Sequence, residues 1–318
     1  MSYTEAMTDQ QIKIGIIGGG AVGLTYAALL SEVANVHILT RRQEQADHLN
    51  ASGICLENLQ GQAKQYPNVS ASTDFSNLKD CDAIIVAVKS YDTEEVAKDL
   101  AKSLRDDTVV LTLQNGIEAF DILRSNLRNP DRVITGVVFI KASRKDDTTT
   151  VVNDTSFLTM VDDKAAWLVE VMKTSGLNVQ ASDNARQTAW DKLVLNVAQN
   201  ALSAITNLNQ GEMLESKECL ETAAHLLAEF KQVGEAEGLR FEYDLMEKLK
   251  DNWRRGGAFY PSMWQDLHHG RRTEIDAING AISKLGKKHG IKTPYNDEMV
   301  AKIKALEKTE EYSGTLTR

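Results

Sequence analysis

The chain has 318 residues, 42% of them hydrophobic and 25% charged, with a formal net charge of −9. That length suits two domains better than one core. The acidic balance argues against a nucleic-acid binder, which needs basic patches for phosphate backbones, and no apolar run approaches the ~20 residues that would span a bilayer.

The start, "MSYTEAMTDQQ", has neither a basic nor an apolar segment of the secretory kind. It reads as a disordered lead-in over residues 1–11, with a cytoplasmic location expected. Strands and helices then alternate. "IKIGII" (12–17) is a β-rich run, "AVGLTYAALLSEV" (21–33) a helix packed on a sheet, and "VHIL" (36–39) a second strand. "RRQEQADHLNASG" is a polar helix ending at Gly53. "AIIVAV" (83–88), "TVVLTL" (108–113) and "RVITGVV" (132–138) are apolar strands of the kind covered on both faces. "TEEVAKDLAKSL" (93–104) is a helix with Thr93 as its expected N-cap. The alternation predicts an α/β fold with a mostly parallel, doubly wound sheet.

After "LNVQAS" the pattern turns helical. "DNARQTAWDKLVLNVAQNALSAI", "CLETAAHLLAEFKQVGEAEG", "YDLMEKLKDNWRRG", "TEIDAINGAISKLGKKHG" and "NDEMVAKIKALEKTEEY" all carry helical periodicity. The expected domains are therefore 12–182, binding a dinucleotide, and an all-helical domain at 183–318. Asp183 is the expected cap of the first long helix.

"GGGAVG" places Gly18, Gly20 and Gly23 in G-x-G-x-x-G spacing between a strand and a helix. The first glycine permits the tight turn, the second admits a pyrophosphate, and the third lets helix and strand pack closely. The helix N-terminus offers unpaired N–H groups to the phosphates. About 20 residues on, where NAD sites place an acid for the ribose 2′-OH, stands Thr40, followed by Arg41 and Arg42. A guanidinium there matches a 2′-phosphate in charge and bidentate geometry, so NADP(H) is expected. Arg41 is the first choice and Arg42 the fallback. Two solvated arginines opening a surface helix are the competing reading.

Lys89 and Asn115 each follow an apolar strand, at the carboxyl ends where open α/β sheets bind ligands. Either residue alone could equally be a strand-end cap or part of a turn. Three cysteines (Cys55, Cys81, Cys219), odd in number and widely spaced, suggest no disulfide framework. The six histidines show no ligand spacing, so no metal site is expected.

In "WDKLVLNVAQN", Lys192, Asn196 and Asn200 recur every four residues. They form one stripe that drifts about 40° per step along a mostly apolar helix. Exposure to water is the ordinary explanation for a lysine. Asparagine, however, is a poor helix-interior residue, and a stripe turned toward a polar ligand would account for both amides. Further on, Ser262 sits in an expected turn after Pro261, and Glu274 in the first turn of a helix capped by Thr273. Asp276 completes a capping-box pattern with Thr273. Glu274 is then the acid left for another duty, and pairing with Lys192 would keep the ammonium protonated.

These stretches resemble the ketopantoate reductase (2-dehydropantoate 2-reductase) family from Ile12 to about Glu310. "IGIIGGGAVG" is similar to the family's nucleotide turn, "WDKLVLNVAQNALSAI" to its K-L-x-x-N-x-x-x-N helix, and "SMWQDLHHGRRTEIDAING" to its S-M-x-Q-D…T-E-I-D-x-I-N-G block. The resemblance implies a Rossmann-type doubly wound sheet followed by a helical C-terminal domain. It implies reduction of ketopantoate to pantoate with NADPH, in pantothenate and coenzyme A biosynthesis. Lys192 would be the general acid, with Glu274 beside cofactor and substrate. Asn115, Asn196, Asn200, Gln210 and Ser262 would line the substrate pocket. Gly18, Gly19, Gly20, Ala21, Val22, Gly23, Arg41, Lys89, Asn115 and Ala142 would lie along the cofactor. Gln210 stands where the family commonly has Asn; it keeps the amide but reaches farther. A reductase of another small 2-oxo or 3-oxo acid is the alternative, and a non-catalytic NADP-binding sensor ranks below it. Helical second domains often form homodimers, but no patch legible in the sequence selects one.

Overall fold

A computed structural model of the chain describes residues 12–152 and 157–309. The expected lead-in at 1–11 lies outside the described residues. The chain divides into two compact units: residues up to Gln114 together with Ala119–Thr188, and Asn115–Glu118 together with the residues from Ala189 onward.

The first unit runs β1 (Lys13–Ile17), α1 (Ala21–Leu30), β2 (Asn35–Leu39), α2 (Gln43–Ser52), β3 (Ile54–Glu57), β4 (Ala63–Tyr66), β5 (Val69–Ser72), β6 (Ala83–Val86), α3 (Thr93–Ser103), β7 (Val109–Thr112), α4 (Glu118–Asn126), β8 (Val133–Val138), β9 (Ala142–Arg144), β10 (Thr149–Val152), β11 (Leu158–Asp162), α5 (Ala166–Thr174) and β12 (Asn178–Ser182). The large sheet has eight strands in the order β12-β11-β8-β7-β6-β1-β2-β5. Its neighbours pair in parallel except β11, which runs antiparallel to β8. Side chains alternate between the two faces, as the strand period of two requires. Ile14, Ile16, Ile85 and Leu111 enter one core with α1 and α5. Ile17, Ile84, Val86 and Val110 enter another with α3 and α4. Both faces are thus covered, which is why these strands are continuously apolar.

The sequence reading missed a second sheet, ordered β4-β3-β10-β9. Its strands are short, and β4 is largely exposed, so they show little hydrophobic pattern. This sheet explains α1. Gly23 through Leu30 are all buried, because α1 packs on β3, β9 and β10 as well as on β1 and β2. A helix covered on several sides reads as apolar all round.

The second unit holds most of α6 (Ala185–Thr206), then α7 (Gln210–Glu215), α8 (Lys217–Ala236), α9 (Leu245–Gly256), α10 (Ser262–His268), α11 (Asn279–His289) and α12 (Pro294–Leu306). Its core gathers Trp190, Leu193, Val194, Val197, Phe230, Trp253 and Ile282, among others. A buried polar clasp orders four helices, α6, α8, α11 and α12. Glu229 accepts the N–H groups of Tyr295 and Asn296 at the start of α12, and Asn279 donates to Asn296 Oδ1 and to Val197 O of α6.

Several local expectations are corrected. Thr93 does not cap α3. Asp92 holds the N-cap position without a capping hydrogen bond, and Thr93 Oγ1 donates to Ser90 O. Asn184, not Asp183, opens α6 by accepting the Gln187 N–H. Ser262 is the first residue of α10 rather than part of a turn. Thr273 Oγ1 accepts the Ile275 N–H, but the element is a 3-10 turn (Ile275–Ala277). The capping box with Asp276 is not made: Glu307 takes the Thr273 N–H, and Asp276 pairs with Lys304 at 2.5 Å.

Candidate functional site

In the first unit the glycine turn links β1 to α1. Gly18 has φ +119°, a conformation open to glycine, and a Cβ there would stand 2.8 Å from Ala87 O. A Cβ on Gly23 would fall 1.9 Å from Gly18 O, so helix and turn close on each other. Gly20, in contrast, is exposed, and a Cβ there would meet nothing within 4 Å. It precedes α1 with no side chain capping the helix, and Ala21 and Val22 are half-exposed in the first turn. A cradle with its glycine facing open space and uncapped N–H groups behind fits a pyrophosphate.

Around this turn, Gln45 Nε2 donates to Gly19 O at 2.8 Å and to Asp147 O at 3.0 Å, and Arg144 Nη1 donates to Gly19 O at 3.3 Å. Thr40 is buried, its hydroxyl donating to Arg42 O. Arg41 pairs with Asp92 at 2.6 Å. Arg42 pairs with Glu44 and with Asp147. Lys89 is half-exposed just beyond β6. Ala142 begins β9 of the small sheet, opposite Val152.

In the second unit three predicted residues meet. Lys192 Nζ donates to Asn115 Oδ1 at 2.9 Å, and Asn115 Nδ2 donates to Glu274 Oε2 at 3.1 Å. The expected Lys192–Glu274 pairing therefore runs through the Asn115 carboxamide. Asn115 is held there by Gly116, whose φ is +87° and where a Cβ would stand 2.6 Å from Ala277 O. Glu274 is buried and precedes the 3-10 turn without capping it, so its carboxylate is turned to Asn115 instead. Burial lowers the Lys192 pKa to about 8, and the Glu274 charge opposes that fall.

One turn along α6, Asn196 is half-buried; a further turn on, Asn200 is buried. Ser262 is exposed at the start of α10. Gln210 opens α7. It is buried, and its Nε2 donates to Gln199 Oε1 at 2.8 Å, an oxygen that also accepts from Asn252 and Trp253. Sequence reasoning missed Gln45, Asp92, Asp147 and Gln199. No motif marks them, since each acts through a partner distant in sequence.

Residues 14–164 match the description "Ketopantoate reductase PanE/ApbA", and residues 184–307 its C-terminal counterpart. The chain belongs to the ketopantoate reductase PanE/ApbA family. It is thereby an oxidoreductase. It is 30% identical to the 2-dehydropantoate 2-reductase of Archaeoglobus fulgidus, covering 93% of this chain and 98% of that one. A PanE/ApbA family ketopantoate reductase from Ralstonia eutropha JMP134 superposes with a TM-score of 0.87 at 31% identity, covering 93% and 98% of the two chains. The structure of D-mandelate dehydrogenase with NADH and anilino(oxo)acetate superposes with a TM-score of 0.85 at 27% identity, again over 93% and 98%.

Proposed function

We propose that the chain reduces 2-dehydropantoate to pantoate with NADPH, serving pantothenate and coenzyme A biosynthesis in the cytoplasm. The first unit binds the dinucleotide through Gly18 to Gly23, with Arg41 at the 2′-phosphate and Lys89 and Ala142 along the cofactor. The second unit binds the 2-oxo acid. The reduced nicotinamide supplies a hydride to the carbonyl carbon. Negative charge then develops on the carbonyl oxygen, where the Lys192 ammonium stabilises it and delivers a proton. Asn115 fixes the ammonium, Glu274 keeps it charged, and Asn196, Asn200 and Ser262 orient the substrate's carboxylate and hydroxyl with neutral hydrogen bonds.

The observation that carries this reading is the Lys192–Asn115–Glu274 chain of hydrogen bonds. It gives an acid lowered to about 8, close to working pH, where proton transfer is most effective. NADPH oxidation against ketopantoate and a panel of shorter and bulkier 2-oxo acids tests it; no turnover with any of them would refute it. A second reading, reduction of another 2-oxo acid, is favoured by Gln210, whose amide is engaged by Gln199. A panel in which a different acid outpaces ketopantoate would select that reading.

A further inference from the structure

Counting along the sequence finds no acid after β2, because Thr40 stands there. The fold brings acids from elsewhere. Asp92, three residues beyond Lys89, lies 2.6 Å from Arg41 Nη2. The carboxylate is the anchored partner: its side chain keeps 19% of its surface exposed, against 71% for Arg41. Its backbone N–H donates to Lys89 O at 3.0 Å. An Asp at an N-cap ordinarily accepts an N–H of the helix it opens. Asp92 makes no such bond, and its carboxylate is given to Arg41. Arg42 is no spare cation. Glu44 holds it at 3.0 Å, and Asp147, itself 3.2 Å from His48 Nδ1, holds it from the other side. Two guanidiniums thus face three carboxylates.

We propose that Asp92 is a cofactor-selecting residue, which by holding Arg41 narrows the preference for a 2′-phosphorylated dinucleotide so that the chain accepts NADH as well as NADPH. The proposal rests on the nicotinamide-cofactor reading above. A phosphate monoester carries a charge of about −2 near neutral pH, so it must share Arg41 with a carboxylate that repels it. A ribose 2′-OH is neutral and can donate to that same carboxylate.

Calorimetric titration of the full chain with NADP+ and with NAD+ tests this. In the wild type the two dissociation constants are expected within about tenfold of each other, and Asp92→Asn is expected to tighten NADP+ by roughly 5–30-fold, the effect of removing one charge near a surface phosphate. NAD+ binding is expected to stay unchanged or weaken. Arg41→Ala added to Asp92→Asn is expected to abolish the gain. Should Asp92→Asn fail to fold, Asp92→Ser removes the same charge while keeping a capping residue, and reads out identically. An unaltered NADP+/NAD+ ratio in the variant overturns the proposal, as does a wild type that prefers one dinucleotide overwhelmingly. Binding of neither dinucleotide by the wild type would instead refute the cofactor reading itself.

Discussion

Asn115 stands between Lys192 and Glu274, accepting from the ammonium at 2.9 Å and donating to the carboxylate at 3.1 Å. One carboxamide thus positions a cation and couples it to an anion without the two charges touching through it. Burial lowers the ammonium's pKa to about 8 while the Glu274 charge opposes that fall.

The Lys192→Ala variant is expected to lose turnover by ~10²–10⁴-fold, the usual worth of a positioned acid. Dinucleotide affinity should remain nearly intact, because the glycine turn belongs to the other unit. Steady-state kinetics beside a nucleotide titration checks both; an unchanged rate would remove Lys192 from the chemistry.

In the proposed mechanism the protonated Lys192 is the active form, so turnover should decline as pH rises through about 8, to which burial lowers its folded value. Glu274 raises that value, so Glu274→Gln should move the declining limb to lower pH. The same shift has a stability sign. Below about 8 the ammonium is charged in both folded and unfolded chains, and its burial cost is present in full. Above that, the folded chain has released its proton while the unfolded chain holds one up to the ordinary lysine range. The cost is therefore relieved as pH rises. A pH–rate profile of both proteins decides the matter; coincident limbs would show that Glu274 does not act on the acid.

Two glycines of the turn should respond differently. Gly23→Ala puts a methyl 1.9 Å from Gly18 O and should lower the melting temperature. Gly20→Ala meets nothing within 4 Å, so the fold should tolerate it, while dinucleotide binding weakens by about tenfold or more as the methyl intrudes on the pyrophosphate's approach. Thermal melts paired with titrations separate the two effects.

Gln199 Oε1 accepts from Gln210, Asn252 and Trp253. Replacing it with Leu leaves buried donors unpaired and should cost about 2–4 kcal/mol of stability, read from urea unfolding. A loss below the error of the measurement would mean that water reaches these donors.

The correct sequence expectations rest on local signals. Apolar runs marked β1, β6, β7 and β8, and four-residue spacing marked the stripe on α6. Local capping rules point to Thr93, Asp183 and the Thr273–Asp276 box; in the fold Asp92 and Asn184, each one residue away, stand at the first two helix starts, and Glu307, distant in sequence, takes the Thr273 N–H. Capping energies of about 1 kcal/mol are small enough for tertiary contacts to redirect. The second sheet is not legible because β3, β4, β9 and β10 mix polar and apolar residues over three or four positions, whereas the equally short β6 and β7 are continuously buried runs.

By itself the sequence determined the doubly wound sheet, the helical second unit, the glycine turn and which polar side chains share a face of α6. Those properties follow from side-chain volume and from repeat periods that adjacent residues impose. Tertiary structure alone decided which charges meet: Asp92 against Arg41 across 51 residues, Asp147 against Arg42 across 105, and Asn115 between Lys192 and Glu274. Electrostatic partners are chosen by distance in space, and no local pattern records the distance between residues that only folding brings together.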